Sequence, residues 1–251
     1  VTAALRRLGV LLVLALAPPA WAQPAVMVYA ASDLAFAMRE IAPLFERASG
    51  ARVTLVLGST GNLARQIEHG APADLFFAAD EGFIDGLRDR GIVIAETRTL
   101  YAQGRLVLAS VRRARAPLEM QDLVGPGVKR LAIANPDHAP YGRAAREALE
   151  RLGLWERVRP KLVYAENIRH ALQFLQAGAV DAALVARAIA EVPEVVSVPV
   201  DPALHRPLNQ VAAVVRRSPR PELALAFLHF VIGPEGRPIM KRRGYLLPGE
   251  F

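Results

Sequence analysis

Cysteine is absent from the 251 residues, so neither a disulfide framework nor a thiolate metal site is available. The five histidines (His69, His138, His170, His205 and His229) are scattered, and no pair has the spacing of metal ligands. Beyond residue 22 no stretch approaches the ~18 unbroken apolar residues of a membrane-spanning helix. The densest basic runs, RRARAP at 112–117 and KRRG at 241–244, are not interleaved with aromatics and read as solvated surface, not a nucleic-acid groove. Catalytic signatures are missing too. There is no G-x-S-x-G elbow, and the acidic pairs Asp80/Glu81 and Asp85/Asp89 suit exposed surface better than general acid–base work.

What is present begins with a leader pattern. Arg6 and Arg7 precede the apolar run LGVLLVLALA at 8–17, Pro18 and Pro19 break it, and AWA at 20–22 sets small residues before Gln23. This is the pattern of a secretory signal peptide over 1–22, too short to serve as a membrane anchor, and it implies an exported protein. The remainder suits one large or two small domains, and a hydrophobic fraction of 53% allows a substantial core. Net charge is +7, or +5 without Arg6 and Arg7 (29 basic against 24 acidic residues). A modest positive field of this kind suits small anionic solutes.

Strand-like and helix-like patterns alternate along the chain. VMVYAA, RVTLVLG and ADLFFAAD read as strands within the first 80 residues, separated by helical spacings such as Leu34, Met38, Ile41, Leu44 and Phe45. RLVLAS, RLAIANP, KLVYAE and VDAALVA repeat the theme from residue 105, and QVAAVVRR at 210–217 reads as a strand returning toward the first unit. Such alternation predicts parallel sheets flanked by helices. The expected organisation is two α/β lobes, residues 23–103 with 214–251 and residues 104–213, joined by crossings near 101–105 and 210–215. A ligand cleft between the lobes follows, lined by strand-to-helix junctions.

Three of those junctions, AASDL, LGSTGNL and HAPYGR, carry hydroxyls, a glycine or both, and YAENIR carries an amide. Each would aim free backbone N–H groups and the positive end of a helix dipole into the cleft, an anion site that needs no cation. Ser32, Ser59 and Thr60 add rotatable hydroxyl donors. The same residue types are also ordinary helix N-caps. GSTG lacks the lysine and the length of a nucleotide-phosphate loop.

The collinear segments AASDLAFAM, GSTGNLARQIEHGAPADLFFAAD, HAPYGRAAREALERLGLW, KLVYAENIRHALQFL and GAVDAALV resemble the periplasmic molybdate-binding proteins of ABC importers, over most of residues 26–247. The resemblance implies an α/β protein of the two-lobed type II periplasmic-binding-protein fold, with its ligand cleft between the lobes. It further implies capture of molybdate or tungstate as transported ligand, delivery to a membrane permease, no cofactor, no enzymatic activity and a periplasmic monomer. A binder of a different oxyanion or of a small organic anion is the alternative.

By the same resemblance, Ser32, Asp33 (through its backbone), Ser59 and Thr60 serve the anion from one lobe, and Tyr141 and Ile168 from the other. Two departures stand out. Asp33 occupies a place where many relatives have serine, and an ionised carboxylate beside a dianion is repulsive; it is expected to turn away as an N-cap, or else the solute differs. Ala186 stands where many relatives have tyrosine, and the Tyr141 hydroxyl is expected to supply the lost donor.

Overall fold

The computed structural model describes residues 23–112 and 119–251; the leader pattern and all but Arg112 of the RRARAP run lie outside them. Among the described residues no helix is long and apolar enough to cross a membrane.

Strand β1 (Ala25–Ala31) runs parallel to both β2 (Arg52–Gly58) and β3 (Leu75–Ala78). Its apolar character on both faces suits a strand covered by helices on each side. The helix after β1, α1 (Ala35–Ser49), buries Met38, Ile41 and Phe45 as their spacing predicts, and Gly50 closes it at φ 70°. Helices α2 (Thr60–Glu68) and α3 (Glu81–Asp89) follow β2 and β3.

The first sheet has the order β2-β1-β3-β10-β4, where β4 is Thr99–Gly104 and β10 is Leu208–Val214. The second contains β5 (Leu106–Val111), β6 (Leu131–Ala134), β7 (Leu162–Ala165), β8 (Ala182–Ala186) and β9 (Val195–Pro199), in the order β7-β6-β8-β5-β9. Helix α4 (Pro140–Arg151) and the short α5 (Trp155–Val158) follow β6, α6 (Ile168–Gln176) follows β7, and the short α7 (Arg187–Ala190) follows β8. Helix α8 (Pro221–Ile232) packs on the first sheet, with α9 (Gly236–Arg242) beside it.

Three sequence expectations need correction. Neither sheet is purely parallel: β10 is antiparallel to β3 and β4, and β5 is antiparallel to β8 and β9. These antiparallel strands flank the crossings, where the chain enters a sheet from the other lobe and not through a strand–helix–strand crossover. Second, β4 and β9 escaped the pattern. TLYAQG ends in polar Gln103 and Gly104, and VVSVP runs for only four residues before Pro199 ends it. Third, the return crossing lies between β9 and β10, not at 210–215. All of β10 belongs to the first sheet, including residues 208–213 that were expected in the second lobe. Polar Gln210 mimicked a strand start, yet it is fully buried inside β10, where Tyr101 and Asp33 satisfy its amide.

The first lobe is held on one face of its sheet by an aromatic cluster that ties α1 and α8 to β3 and β4. Phe227 on α8 stacks edge-on against Phe45 of α1 at 5.0 Å and against Phe77 of β3 at 6.3 Å, and Phe77 meets Tyr101 of β4 at 5.2 Å. Phe227 is fully buried, so its truncation leaves a void that rigid sheet and helix backbones cannot fill. Phe227→Ala is therefore expected to lower unfolding free energy by about 3–5 kcal/mol in denaturant titration.

Candidate functional site

All six residues expected from sequence (Ser32, Asp33, Ser59, Thr60, Tyr141 and Ile168) line one enclosed cavity where the lobes meet. None is more than 4% exposed. The space open to the centre of a water-sized solute is only about 10 Å³. That is about the room one water needs, far below the ~300–1,000 Å³ sites that hold larger organic ligands.

The lobes are closed around this cavity by specific contacts. Gly61, in the first turn of α2, donates its N–H to the His138 carbonyl of the second lobe at 2.8 Å. Ser59 Oγ lies 2.8 Å from His138 Nδ1. Asn62 Nδ2 donates to Glu166 Oε1 at 2.8 Å, and Arg143 pairs with Asp80 across the same seam. Any side chain at 61 would intrude here, since a Cβ would come 2.7 Å from the His138 carbonyl oxygen.

Helix starts converge on the cavity with their backbone donors largely free. Neither the turn Ser32–Leu34 nor α1, α2 or α4 has a side-chain cap. Ser59 sits at the N-cap of α2 but turns its hydroxyl to His138, so it does not act as the cap its residue type suggests. Thr60 Oγ1 accepts from the Ala79 N–H at 3.2 Å, which orients the hydroxyl and leaves its proton to donate. In α6 the cap is real: Asn167 accepts from the His170 N–H at 3.0 Å. Ile168, the first residue of that helix, keeps its own N–H outside the intrahelical ladder. Pro140 opens α4 and brings no donor, so the Tyr141 N–H is the first available there.

Asp33 differs from expectation. It caps no helix. Its Oδ2 accepts from the Tyr245 hydroxyl at 2.7 Å, Gln210 Nε2 at 2.9 Å and the Tyr141 hydroxyl at 3.2 Å, while Tyr101 donates to Gln210 Oε1 at 2.9 Å. The Tyr141 hydroxyl is thus committed to Asp33 and is not the replacement donor expected for the tyrosine missing at Ala186. A carboxylate with three strong donors within reach binds them in preference to a distant helix start. Burial raises the Asp33 carboxyl from 3.8 to about 6; the donors from Tyr245, Tyr141 and Gln210 oppose the rise, as does, more weakly, its own backbone N–H. Burial and the Asp33 charge push Tyr101, Tyr141 and Tyr245 well above the ordinary tyrosine value, so all three remain protonated donors.

His138, Gln210 and Tyr245 were missed as site residues. Gln210 left a trace, a lone amide in an otherwise apolar strand. His138 acts through its carbonyl and one ring nitrogen, and Tyr245 reaches the network from beyond α9, so neither carried a local signal.

Two α/β lobes shut on a cavity of converging helix starts define a two-lobed solute-binding protein. The chain belongs to the bacterial extracellular solute-binding proteins, whose family model matches residues 26–246. It is similar to the molybdate-binding protein ModA of Azotobacter vinelandii, at 33% identity over 226 residues, covering 88% of this chain and 89% of that protein. ModA of Escherichia coli (strain K12) is 34% identical over 233 residues, again covering 88% and 89%. Among solved structures, the A. vinelandii periplasmic molybdate-binding protein aligns with a TM-score of 0.84 at 30% identity, covering 89% of this chain and 99% of that one.

The raised Asp33 value carries a stability consequence. The folded chain binds this proton more tightly than the unfolded chain, so the stabilisation is complete below about pH 4 and vanishes as pH rises through about 6. Asp33→Asn removes the titration and keeps an oxygen for the three donors. On acidification from about pH 7 to about pH 4, wild type should gain up to about 3 kcal/mol relative to Asp33→Asn in chemical denaturation.

Proposed function

We propose that this chain captures molybdate, or tungstate, in the periplasm after loss of the 1–22 segment and delivers it to the permease of an ABC importer. The observation that carries this reading is the small buried cavity between the lobes, lined by uncapped helix starts and hydroxyls. The relatives' names supply the particular anion. The protein acts as a monomer, binding without turnover: Ser59 meets His138 at the cavity wall, but among the described residues no acceptor holds the other ring nitrogen of that imidazole, and the cavity's donors suit an acceptor-only dianion.

Capture proceeds by lobe closure. Thr60, Ser59 and Ser32 meet the anion from the first lobe, and the N–H groups of Tyr141 and Ile168 meet it from the second. Closing desolvates the anion and strengthens each contact in the lower dielectric. Only contacts present in the closed form shift the equilibrium toward it. Arg39 of α1 and Arg169 of α6 belong to opposite lobes, and burial together with the Arg39 charge lowers the Arg169 value. This like-charge pair draws anions in, yet opposes closure of the empty protein.

Another tetrahedral oxyanion is the second reading, favoured by the carboxylate of Asp33 on the cavity wall. Calorimetric titration with molybdate, tungstate, sulfate and phosphate separates the two: heat is expected with molybdate and tungstate, and silence with all four would sink the oxyanion assignment.

Two substitutions test the backbone donors and the closure. Ile168→Pro deletes one N–H at a first-turn position where proline is well tolerated, and Asn167 at φ −148° and ψ 174° already has a backbone compatible with a following proline. Molybdate affinity should fall about tenfold or more, as expected for a lost charge-assisted hydrogen bond, with the fold preserved by circular dichroism. Gly61→Ala should weaken binding by at least about tenfold through its clash with His138 on closure, with little change in the unfolding of the ligand-free protein.

A further inference from the structure

The two oxygens of Asp33 have unequal surroundings. Oδ2 carries the three donors from Tyr245, Gln210 and Tyr141. Oδ1 is buried with no hydrogen-bond partner, and Asp33 lines the anion cavity. A buried polar atom left unpaired in this way calls for a partner that the protein does not itself supply. Because three donors already occupy Oδ2, any proton on this carboxyl resides on Oδ1.

The groups facing the carboxyl leave it without a counter-charge. Tyr101 from β4, Tyr141 from α4, Gln210 from β10 and Tyr245 beyond α9 are all neutral, as are Ser32, Ser59 and Thr60 around the cavity. His138 stands behind Ser59 as the other titratable side chain at the wall. Among the described residues no cationic side chain hydrogen-bonds to Asp33 or offsets its burial. A dianion entering beside an ionised Asp33 would meet unscreened repulsion in a closed site. A proton on Oδ1 reverses the sign, converting the contact into a charge-assisted O–H···O bond.

We propose that this protein binds its oxyanion together with one proton, held between Asp33 Oδ1 and an oxygen of the anion, so that capture and release are proton-coupled. The inference rests on the oxyanion reading above. The proton comes from solvent before the lobes close and returns to solvent when they open; no other bond is made or broken. In the free protein the Asp33 carboxyl, with a value of about 6, is mostly ionised at neutral pH, so the uptake is measurable there.

Calorimetry of the intact chain with sodium molybdate at about pH 7.5, in buffers of differing ionisation heat, should show uptake of close to one proton per anion. Affinity should fall about tenfold per pH unit between about pH 7 and about pH 9. Asp33→Asn keeps an oxygen for the three donors and presents a permanent N–H donor in place of Oδ1. Its binding should take up no proton and show a flat pH profile. Tyr245→Phe removes one donor that stabilises the carboxylate, and should move the onset of the affinity fall to higher pH. Wild-type binding with no net proton uptake, or an unchanged pH slope in Asp33→Asn, overturns the proposal. Absence of molybdate and tungstate binding at every pH instead removes the oxyanion reading, and this inference with it.

Discussion

One oxygen atom, Asp33 Oδ2, sits where both lobes depend on it. Tyr245 and Gln210 reach it from the first lobe and Tyr141 from the second. Two of these donors, Tyr141 and Gln210, meet beside Gly104, at the crossing between the sheets, where a Cβ would lie 2.1 Å from the Tyr141 hydroxyl. A buried carboxylate is expensive unless donors surround it. Here the donors come from separate lobes, so the full set exists only when those lobes are together. The network therefore makes closure more favourable, and it does so at the pivot, where small changes of angle move the distant rims farthest. Tyr101, tied into the same network through Gln210, also packs on Phe77, so the pivot is braced by the aromatic core of the first lobe.

Helix starts at the cavity differ in how they are capped, and helices away from it, α8 and α9, lack side-chain caps as well. At α3, Asp80 accepts from the Gly82 N–H, and at α6 Asn167 accepts from the His170 N–H. Both are ordinary caps. At α2 and α4 the cap position offers no side-chain acceptor to the helix, so first-turn N–H groups other than that of Gly61, which bonds His138, remain for a ligand. Each uncapped start forgoes about 0.5–2 kcal/mol. At α6 the cap serves the third residue and leaves Ile168, the one on the cavity wall.

Much of this was readable in the chain itself because the signals were local. The apolar runs VMVYAA and RVTLVLG fall within strands β1 and β2, and Gly50 marks the end of α1. The six cavity residues were found because strand-to-helix junctions of α/β folds converge in space, and because GSTG and AENIR resemble known segments. The failures at the site were non-local. Asp33 was read as a cap because Asp before an apolar helix usually caps; nothing nearby reveals that Gln210 and Tyr245, 177 and 212 residues away in sequence, would claim its oxygen. The Tyr141 hydroxyl was aimed at the ligand for the same reason, in ignorance of the acceptor waiting across the cleft. The mixed sheets escaped because strand direction depends on how the chain crosses between lobes, which no short pattern encodes.

Closure itself is a balance of opposed terms. The Gly61–His138 backbone bond, the Asn62–Glu166 and Arg143–Asp80 contacts and the Asp33 network all favour the shut form. Two terms resist it: repulsion between Arg39 and Arg169, and the burial of a carboxylate whose Oδ1 has no partner. The second of these responds to an anion with a shared proton, since that proton supplies Oδ1 with the contact it lacks. A protein built this way need not recognise its ligand by any cationic side chain. Selectivity instead comes from a cavity that completes its hydrogen bonds only around a tetrahedral ion of the right size, with a proton in one defined place.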